Sequence, residues 1–264
     1  MTACYNVVIT ATLFLFNSCF ISLTNAEATQ PHILLLLVDD LGWSDVGYHG
    51  SKIRTPNVDK LAREGVILDN YYVQPYCTPT RGSLMTGRYP IHTGLQHRAI
   101  LCLTPFGLPL DFSILPEKLR EVGYSTHLVG KWHLGHYTSA STPTHRGFDS
   151  FFGFYNYGHD HFDHTHEGFL DLFRGDEVAR EYGGQYSTHL YVKEAQRIIS
   201  EHNSSKPLFL YMAFENVHDP IQAPEEYLNK YSFIEDKDRR GYAAMMDAVD
   251  EAIGNITTAF KEKG

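Results

Sequence analysis

Four short stretches hold side chains of the kinds that do chemistry: Asp39-Asp40, Cys77-Thr78-Pro79-Thr80-Arg81, Lys131-Trp132-His133 and His218. Adjacent carboxylates repel each other and favour a hard cation with oxygen ligands, Ca²⁺ or Mg²⁺; the other use of such a pair is to cap the following turn. Cys77 stands just before a helix whose first turn is set by Pro79, where free amides and the helix dipole favour an anion or a thiolate. Arg81 follows one turn on with a planar fork suited to an oxyanion. In a secreted protein the same Cys is equally well half of a disulfide. Lys131 can hold an anionic group and His133 can move a proton near neutral pH, although an isolated Lys and His are more often a surface cation and a packed ring. His218 lies close to Pro220 and a few residues past an apolar run, so it projects from a strand end.

These groups act together only if the elements carrying them converge. Residues 32–38 (HILLLLV) form a continuous apolar run, as in a strand buried on both faces, which ends in Asp39-Asp40. Residues 126–129 read as a short strand leading to Lys131, and residues 207–214 (PLFLYMAF) as a second strongly apolar strand leading to His218. Helices are predicted over residues 56–65, 79–87, 115–122, 187–201 and 241–261, the last with Tyr242, Met245, Met246, Val249, Ile253, Ile256 and Phe260 on one stripe. Strands alternating with helices make an α/β domain with a mostly parallel central sheet flanked by helices. Such folds bind ligands at the carboxyl edge of the sheet, where each of the four stretches falls. Residues 134–186 hold many Gly, His and aromatic residues with little periodicity and are read as a long functional loop.

The 264 residues are 43% hydrophobic and 20% charged, an ordinary globular composition with no repeat or linker to mark a second domain. A balance of 22 Lys plus Arg against 31 Asp plus Glu leaves no basic footprint, which argues against a dedicated nucleic-acid protein. The 15 His are numerous enough that protonating them in the acidic range would reverse the sign of the net charge. Near the amino terminus an apolar run over residues 7–23, broken by Asn17 and Ser18, precedes Ala26-Glu27-Ala28. Residues 1–28 are therefore read as a cleaved signal peptide; a membrane anchor is the competing reading, and the short, polar-interrupted run disfavours stable insertion. Cleavage removes Cys4 and Cys19 and leaves Cys77 and Cys102. Sequons at Asn203 and Asn255 fit the secretory pathway, lysosomal or extracellular.

With these residues in view, residues 31–264 resemble the type I sulfatases, whose fold is alkaline-phosphatase-like, and in particular the arylsulfatase B (N-acetylgalactosamine-4-sulfatase) branch. The first signature is Cys77-Thr78-Pro79-Thr80-Arg81 with Gly82-Ser83-Leu84-Met85-Thr86-Gly87-Arg88 behind it, and the second runs from Gly123 through Gly130-Lys131-Trp132-His133. Thr80 replaces the usual Ser of the first, a change from hydroxyl to hydroxyl. The resemblance implies that a formylglycine-generating enzyme converts Cys77 to formylglycine, whose hydrated aldehyde attacks the sulfur of a sulfate ester with one hydroxyl and expels sulfate through the other. It further implies that Asp39, Asp40 and the modified Cys77 bind Ca²⁺ or Mg²⁺, that Arg81 and Lys131 hold the diol and the sulfate charge, that His133 takes the diol proton and that His218 contacts the sulfate on the leaving-group side. The substrates implied are aryl sulfates and sulfated glycans, plausibly N-acetylgalactosamine 4-sulfate units of glycosaminoglycans. Because Cys77 is committed in this way, Cys102 is left without a partner.

The family completes its metal site and sulfate pocket with residues that follow the last helix of this sequence, so the chain is expected to be an incomplete sulfatase domain over residues 29–264. The Met245/Ile253 face and a sheet edge are then expected to be exposed. His159, Asp160, His161, Asp163, His164 and His166 crowd into the long loop; a second transition-metal site is the alternative, but the spacing matches no closed tetrahedral pattern, so they are read as a solvated or substrate-facing loop. Two other functions share the same residues. One is a phosphatase or phosphonate hydrolase of the alkaline-phosphatase superfamily, which a preference for aryl phosphate over aryl sulfate would reveal. The other is a catalytically inactive secreted fragment that binds sulfated glycans without turnover.

Overall fold

The structure is a computed structural model and describes residues 30–263; the predicted signal peptide, with Cys4 and Cys19, lies outside the described residues. In chain order the elements are β1 (Ile33–Val38), α1 (Pro56–Glu64), α2 (Cys77–Thr86), α3 (Pro90–Thr93), α4 (Leu115–Glu121), β2 (Ser125–Lys131), β3 (Ser150–Phe154), β4 (Thr165–His166), β5 (Phe169–Leu170), β6 (Phe173–Arg174), β7 (Glu177–Val178), α5 (Ser187–Glu201), β8 (Leu208–Phe214), α6 (Glu225–Lys230) and α7 (Lys237–Lys263).

Six strands form the main sheet in the order β1-β8-β2-β3-β6-β7. The four leading strands are parallel, and β6 and β7 add an antiparallel edge. The strongly apolar β8 lies inside the sheet between β1 and β2, and its period of two sends Leu208, Leu210, Met212 and Phe214 into one core and Phe209, Tyr211 and Ala213 into the other. The first core is closed by α5 and α7, the second by residues of α2 and α4 with Trp132 and Leu134. All seven residues of β8 are buried, whereas all six of β1 are half-buried, as befits an edge strand.

The predicted elements are present with shifted ends. Residues 126–129 extend to the strand Ser125–Lys131, so Lys131 ends β2 rather than following it. Helix α2 begins at Cys77, not two residues later, because Thr80 N–H already donates to the Tyr76 carbonyl (3.1 Å) and its hydroxyl holds the same oxygen (2.8 Å). The stretch read as one long loop contains β3, which pairs parallel with β2, and the hairpin β4–β5. Its sequence Ser-Phe-Phe-Gly-Phe hides the strand because both faces are covered and no polar alternation marks it.

Two expectations about exposure are overturned. Met245 and Ile253 are buried against the sheet and α5, so that face of α7 already has its partner. The histidines of the supposed solvated loop are buried too: His159, His161, His164 and His166 are at most 6% exposed. His159, His161 and His164 have polar partners that come from elsewhere in the fold. Glu215, just past β8, lies 2.8 Å from His159 Nε2 and 2.7 Å from His161 Nδ1, and the Ser187 hydroxyl at the start of α5 is 3.2 Å from His164 Nδ1. Helix α7 also anchors α1: the Asp250 carboxylate accepts from the first-turn amides of Asn57 (3.0 Å) and Val58 (2.9 Å), acting as an N-cap from another helix. The sequons lie on the surface, with Asn203 and Asn255 both exposed.

Candidate active site

Parallel strands β1, β8 and β2 end at one edge of the sheet, and their continuations stay paired beyond the strands. Asp39 N–H donates to the Asn216 carbonyl (2.8 Å) and Val217 N–H to the Asp39 carbonyl (2.6 Å), while Trp132 and His133 continue the ladder with Phe154 and Tyr155 at 3.0 and 3.2 Å. Helix α2 starts over this edge with Cys77 as its first residue, in a half-buried position with a free thiol.

Asp39 lies between two buried cations. Its carboxylate pairs with Lys131 Nζ through one oxygen, and the other lies 3.5 Å from Arg81 Nη2. Arg81 and Lys131 are 1% and 0% exposed, so both charges are removed from water and depend on this carboxylate. Burial alone would raise the Asp39 pKa, but Lys131 and Arg81 overcome it and hold the carboxyl below its ordinary range. Arg81 Nη1 also donates to the Lys131 carbonyl (2.9 Å), tying α2 to the end of β2. Its Nε and Nη2 are buried without hydrogen-bond partners, which leaves donor capacity beside Asp39.

His133 is buried just past β2. Nε2 lies 2.8 Å from the Ile100 carbonyl, and a carbonyl only accepts, so Nε2 carries the proton and Nδ1 keeps its lone pair. That Nδ1 is buried and unpartnered. Burial, with Lys131 nearby, pushes the His133 pKa well below its usual 6.5, so the ring is neutral at neutral pH and its Nδ1 lone pair is available. His218 carries its proton on Nδ1, which donates to the Asp219 carbonyl (2.6 Å), and Nε2 stands 3.9 Å from Asp40.

Asp39, Asp40, Cys77, Thr80 and Arg81 line one cleft of about 570 Å³ between the ends of β1 and α2. The predicted set is thus brought together in part: Asp39, Arg81 and Lys131 touch, Cys77 and Asp40 share their cleft, and His133 and His218 flank it without lining it. Asp40 points outward, its side chain 63% exposed. In kind, the two aspartates suit a hard cation. In number they supply part of a shell of about six to eight oxygens, and no group of three His, Cys, Asp or Glu donors among the described residues includes them.

Thr78 is a connection that sequence reasoning missed. Its hydroxyl donates to the His133 carbonyl (3.1 Å) and accepts from Ile100 N–H (3.1 Å), so it ties Cys77's helix to His133 and to the loop that orients the ring. Its place inside the Cys-x-Pro-x-Arg core was the available signal. Asn216 was missed as well; its side-chain oxygen accepts from Thr188 (2.8 Å) and fixes the turn that leads to His218.

Comparisons with known proteins give the family and the fold. The family description Sulfatase matches residues 31–264. Mouse arylsulfatase J is 52% identical over 245 residues, covering 90% of this chain and 41% of its own length. Human N-acetylgalactosamine-6-sulfatase is 34% identical over 245 residues, covering 86% of this chain and 46% of its own. The crystal structure of Ps i-CgsB in complex with k-i-k-neocarrahexaose superposes with a TM-score of 0.83 at 35% identity, over 89% of this chain and 56% of that one. The chain thus spans about half the length of the relatives it matches, with an arylsulfatase-like sequence and an alkaline-phosphatase-like α/β fold. By that match over essentially all the described residues, the chain belongs to the sulfatase family, whose members are sulfuric ester hydrolases.

Proposed function

We propose that this chain carries the nucleophile and oxyanion-binding part of an arylsulfatase-like hydrolase, with Cys77 converted to formylglycine by a formylglycine-generating enzyme during passage through the secretory pathway. The observation that carries the reading is the buried Lys131–Asp39–Arg81 array at the carboxyl edge of the sheet, beside a free Cys77 at a helix start. Two preorganised cations, Arg81 with spare donor capacity, suit a singly charged sulfate ester whose negative charge shifts onto its oxygens in the transition state.

Each residue then has a defined task. Arg81 and Lys131 hold the sulfate oxygens and the nucleophile's oxygen, with Asp39 keeping both cations in place. His133 accepts the nucleophile's second proton through Nδ1, the nitrogen that Ile100 leaves free. His218 faces the leaving-group side through Nε2. A Ca²⁺ or Mg²⁺ ion on Asp39 and Asp40 would polarise the sulfate and favour the attacking oxyanion. The substrate class is a sulfated sugar or an aryl sulfate, with N-acetylgalactosamine 4-sulfate of glycosaminoglycans as the sugar to test first. Similarity to an N-acetylgalactosamine-6-sulfatase and to a protein solved with a neocarrahexaose supports the sugar. The compartment would be lysosomal or extracellular, after removal of residues 1–28.

The test is the mass of the Cys77 peptide from a eukaryotic secretion host, with parallel assays on an aryl sulfate and an aryl phosphate. Formylglycine and sulfate-selective turnover that Cys77→Ala abolishes are expected. An intact or disulfide-linked Cys77, or a preference for phosphate, would overturn the reading.

A further inference from the structure

A second cluster of ligand-type side chains lies on the other side of His133. Cys102 belongs to the loop between α3 and α4, two residues beyond Ile100, whose carbonyl orients His133. His166 ends β4 and Glu167 begins the turn into β5. One ligand atom from each of the three, the Cys102 sulfur, a His166 ring nitrogen and a Glu167 carboxylate oxygen, lie within 4.8 Å of one another. His166 is 6% exposed, and its Nε2 is buried without a hydrogen-bond partner. The Cys102 thiol is free, and the adjacent residue Glu167 is exposed. Nothing in the sulfate-ester chemistry uses these groups.

We propose that Cys102, His166 and Glu167 form a second metal site, for a zinc-class divalent transition ion. The donor set selects the ion. A sulfur and an imidazole nitrogen suit a borderline-soft metal and disfavour Ca²⁺ and Mg²⁺, which take oxygen. A divalent cation that displaces the Cys102 proton neutralises thiolate and carboxylate together. Bound through Nε2, His166 would give its orphaned imidazole nitrogen a partner in the same step. Three protein donors leave the fourth tetrahedral position to water or to an anionic ligand. In a tetrahedral zinc site neighbouring donor atoms are ~3.5 Å apart, a spacing that adjustment of the two side chains lying on loops can reach.

The position gives the ion a consequence. The Tyr157 ring packs edge-on against His166 with centroids 4.4 Å apart, and its other neighbour is His133 at 6.2 Å. An ion here clamps the loop of Ile100 and Cys102 to the β4–β5 hairpin, on either side of the ring that stands next to His133. The site is thus a clamp on the loop that sets the His133 tautomer, separate from the cation position at Asp39 and Asp40.

The experiment is a Co²⁺ titration of the reduced, chelator-stripped full chain in its Cys77→Ala form, followed by displacement with Zn²⁺. One cobalt per chain is expected, with a thiolate-to-cobalt charge-transfer band in the near ultraviolet and visible bands of tetrahedral intensity, all bleached by one equivalent of zinc. Cys102→Ser should remove the charge-transfer band. Glu167→Gln, a change at an exposed side chain that leaves the fold in place, should weaken zinc at least about tenfold. Asp40→Asn should leave the band unchanged. A folded chain with no charge-transfer band, a band that survives Cys102→Ser, or zinc affinity unaltered by Glu167→Gln would overturn the site. Because Cys77 is absent throughout, each outcome is independent of formylglycine formation and of turnover.

Discussion

Asp39 and Asp40 are neighbours in sequence with opposite environments, one paired with two buried cations and the other largely in water. A charge such as Lys131, with no exposure, is tolerated only because a carboxylate lies against it. Lys131→Met would strand part of the Asp39 charge and is expected to cost about 3 kcal/mol, read as a fall in the urea midpoint. Adding Asp39→Asn should return part of that loss, since the unpaired charge goes with it; a double variant that loses the sum of the two single effects would refute the coupling. At this scale the sequence was highly legible. Cys77, Arg81, Lys131 and Asp39 were each marked by a strand end or helix start. What it could not give was the pairing: Arg81 and Lys131 are 50 positions apart and meet through one backbone carbonyl and one carboxylate.

Among the elements, β2 presents Lys131 because of the residue before it. Gly130 has φ +105 and pairs with Gly153 on β3 and Ala213 on β8, so a row of small residues crosses three strands one position before Lys131. A Cβ on Gly130 would collide with the Ala213 carbonyl. Gly130→Ala is therefore expected to cost about 3 kcal/mol, from left-handed strain together with overpacking. Gly123 is the control. Its φ is +93 but nothing lies within 4 Å of its added Cβ, so Gly123→Ala should cost only the conformational share, about 1–2 kcal/mol. Equal losses in urea unfolding would show that the close strand approach does not matter. Continuous apolar runs and helix periodicity gave β1, β8, α5 and α7 from sequence. β3 was missed because a fully buried strand carries no alternation, and the hairpin β4–β5 because four residues are too few for any period.

For the molecule as a whole, the count of 15 His suggested a surface charge that responds to acid, but six of them are buried: His133, His159, His161, His164, His166 and His202. Their protonation is a property of the fold. Burial works to raise the Glu215 pKa and to lower that of His159, yet their mutual attraction, with His161 adding to it, holds Glu215 well below 4.5 and His159 above 6.5. The Glu215 share of stability is present above 4.5 and is lost as pH falls through its lowered value. The His159 share is present below 6.5 and is lost as pH rises through its raised value. The pair therefore contributes most between about pH 4.5 and 6.5, with the charged and titratable neighbours Asp171, His161, Tyr186, Tyr191 and His164 acting on it. Glu215→Gln should lower the unfolding free energy by about 3 kcal/mol near pH 5.5 and by clearly less above pH 8. Melting curves of both forms across that range check this, and a pH-independent difference would sink it.

Residue types, their spacing and short motifs were enough to give the α/β class and the sulfatase family, and to point to the sheet edge as the expected place of chemistry. Those features depend on local periodicity and on short contiguous motifs, which a linear chain records. The tertiary structure decided what depends on distant residues sharing a dry space. It buried the Met245/Ile253 face, turned an apparent solvated His loop into a core polar network around Glu215, fixed the tautomer of His133 through Ile100, and set Cys102 beside His166 and Glu167. Burial and contact between residues dozens of positions apart are set by how the chain threads through the sheet, with β8 between β1 and β2, and no local pattern encodes that threading.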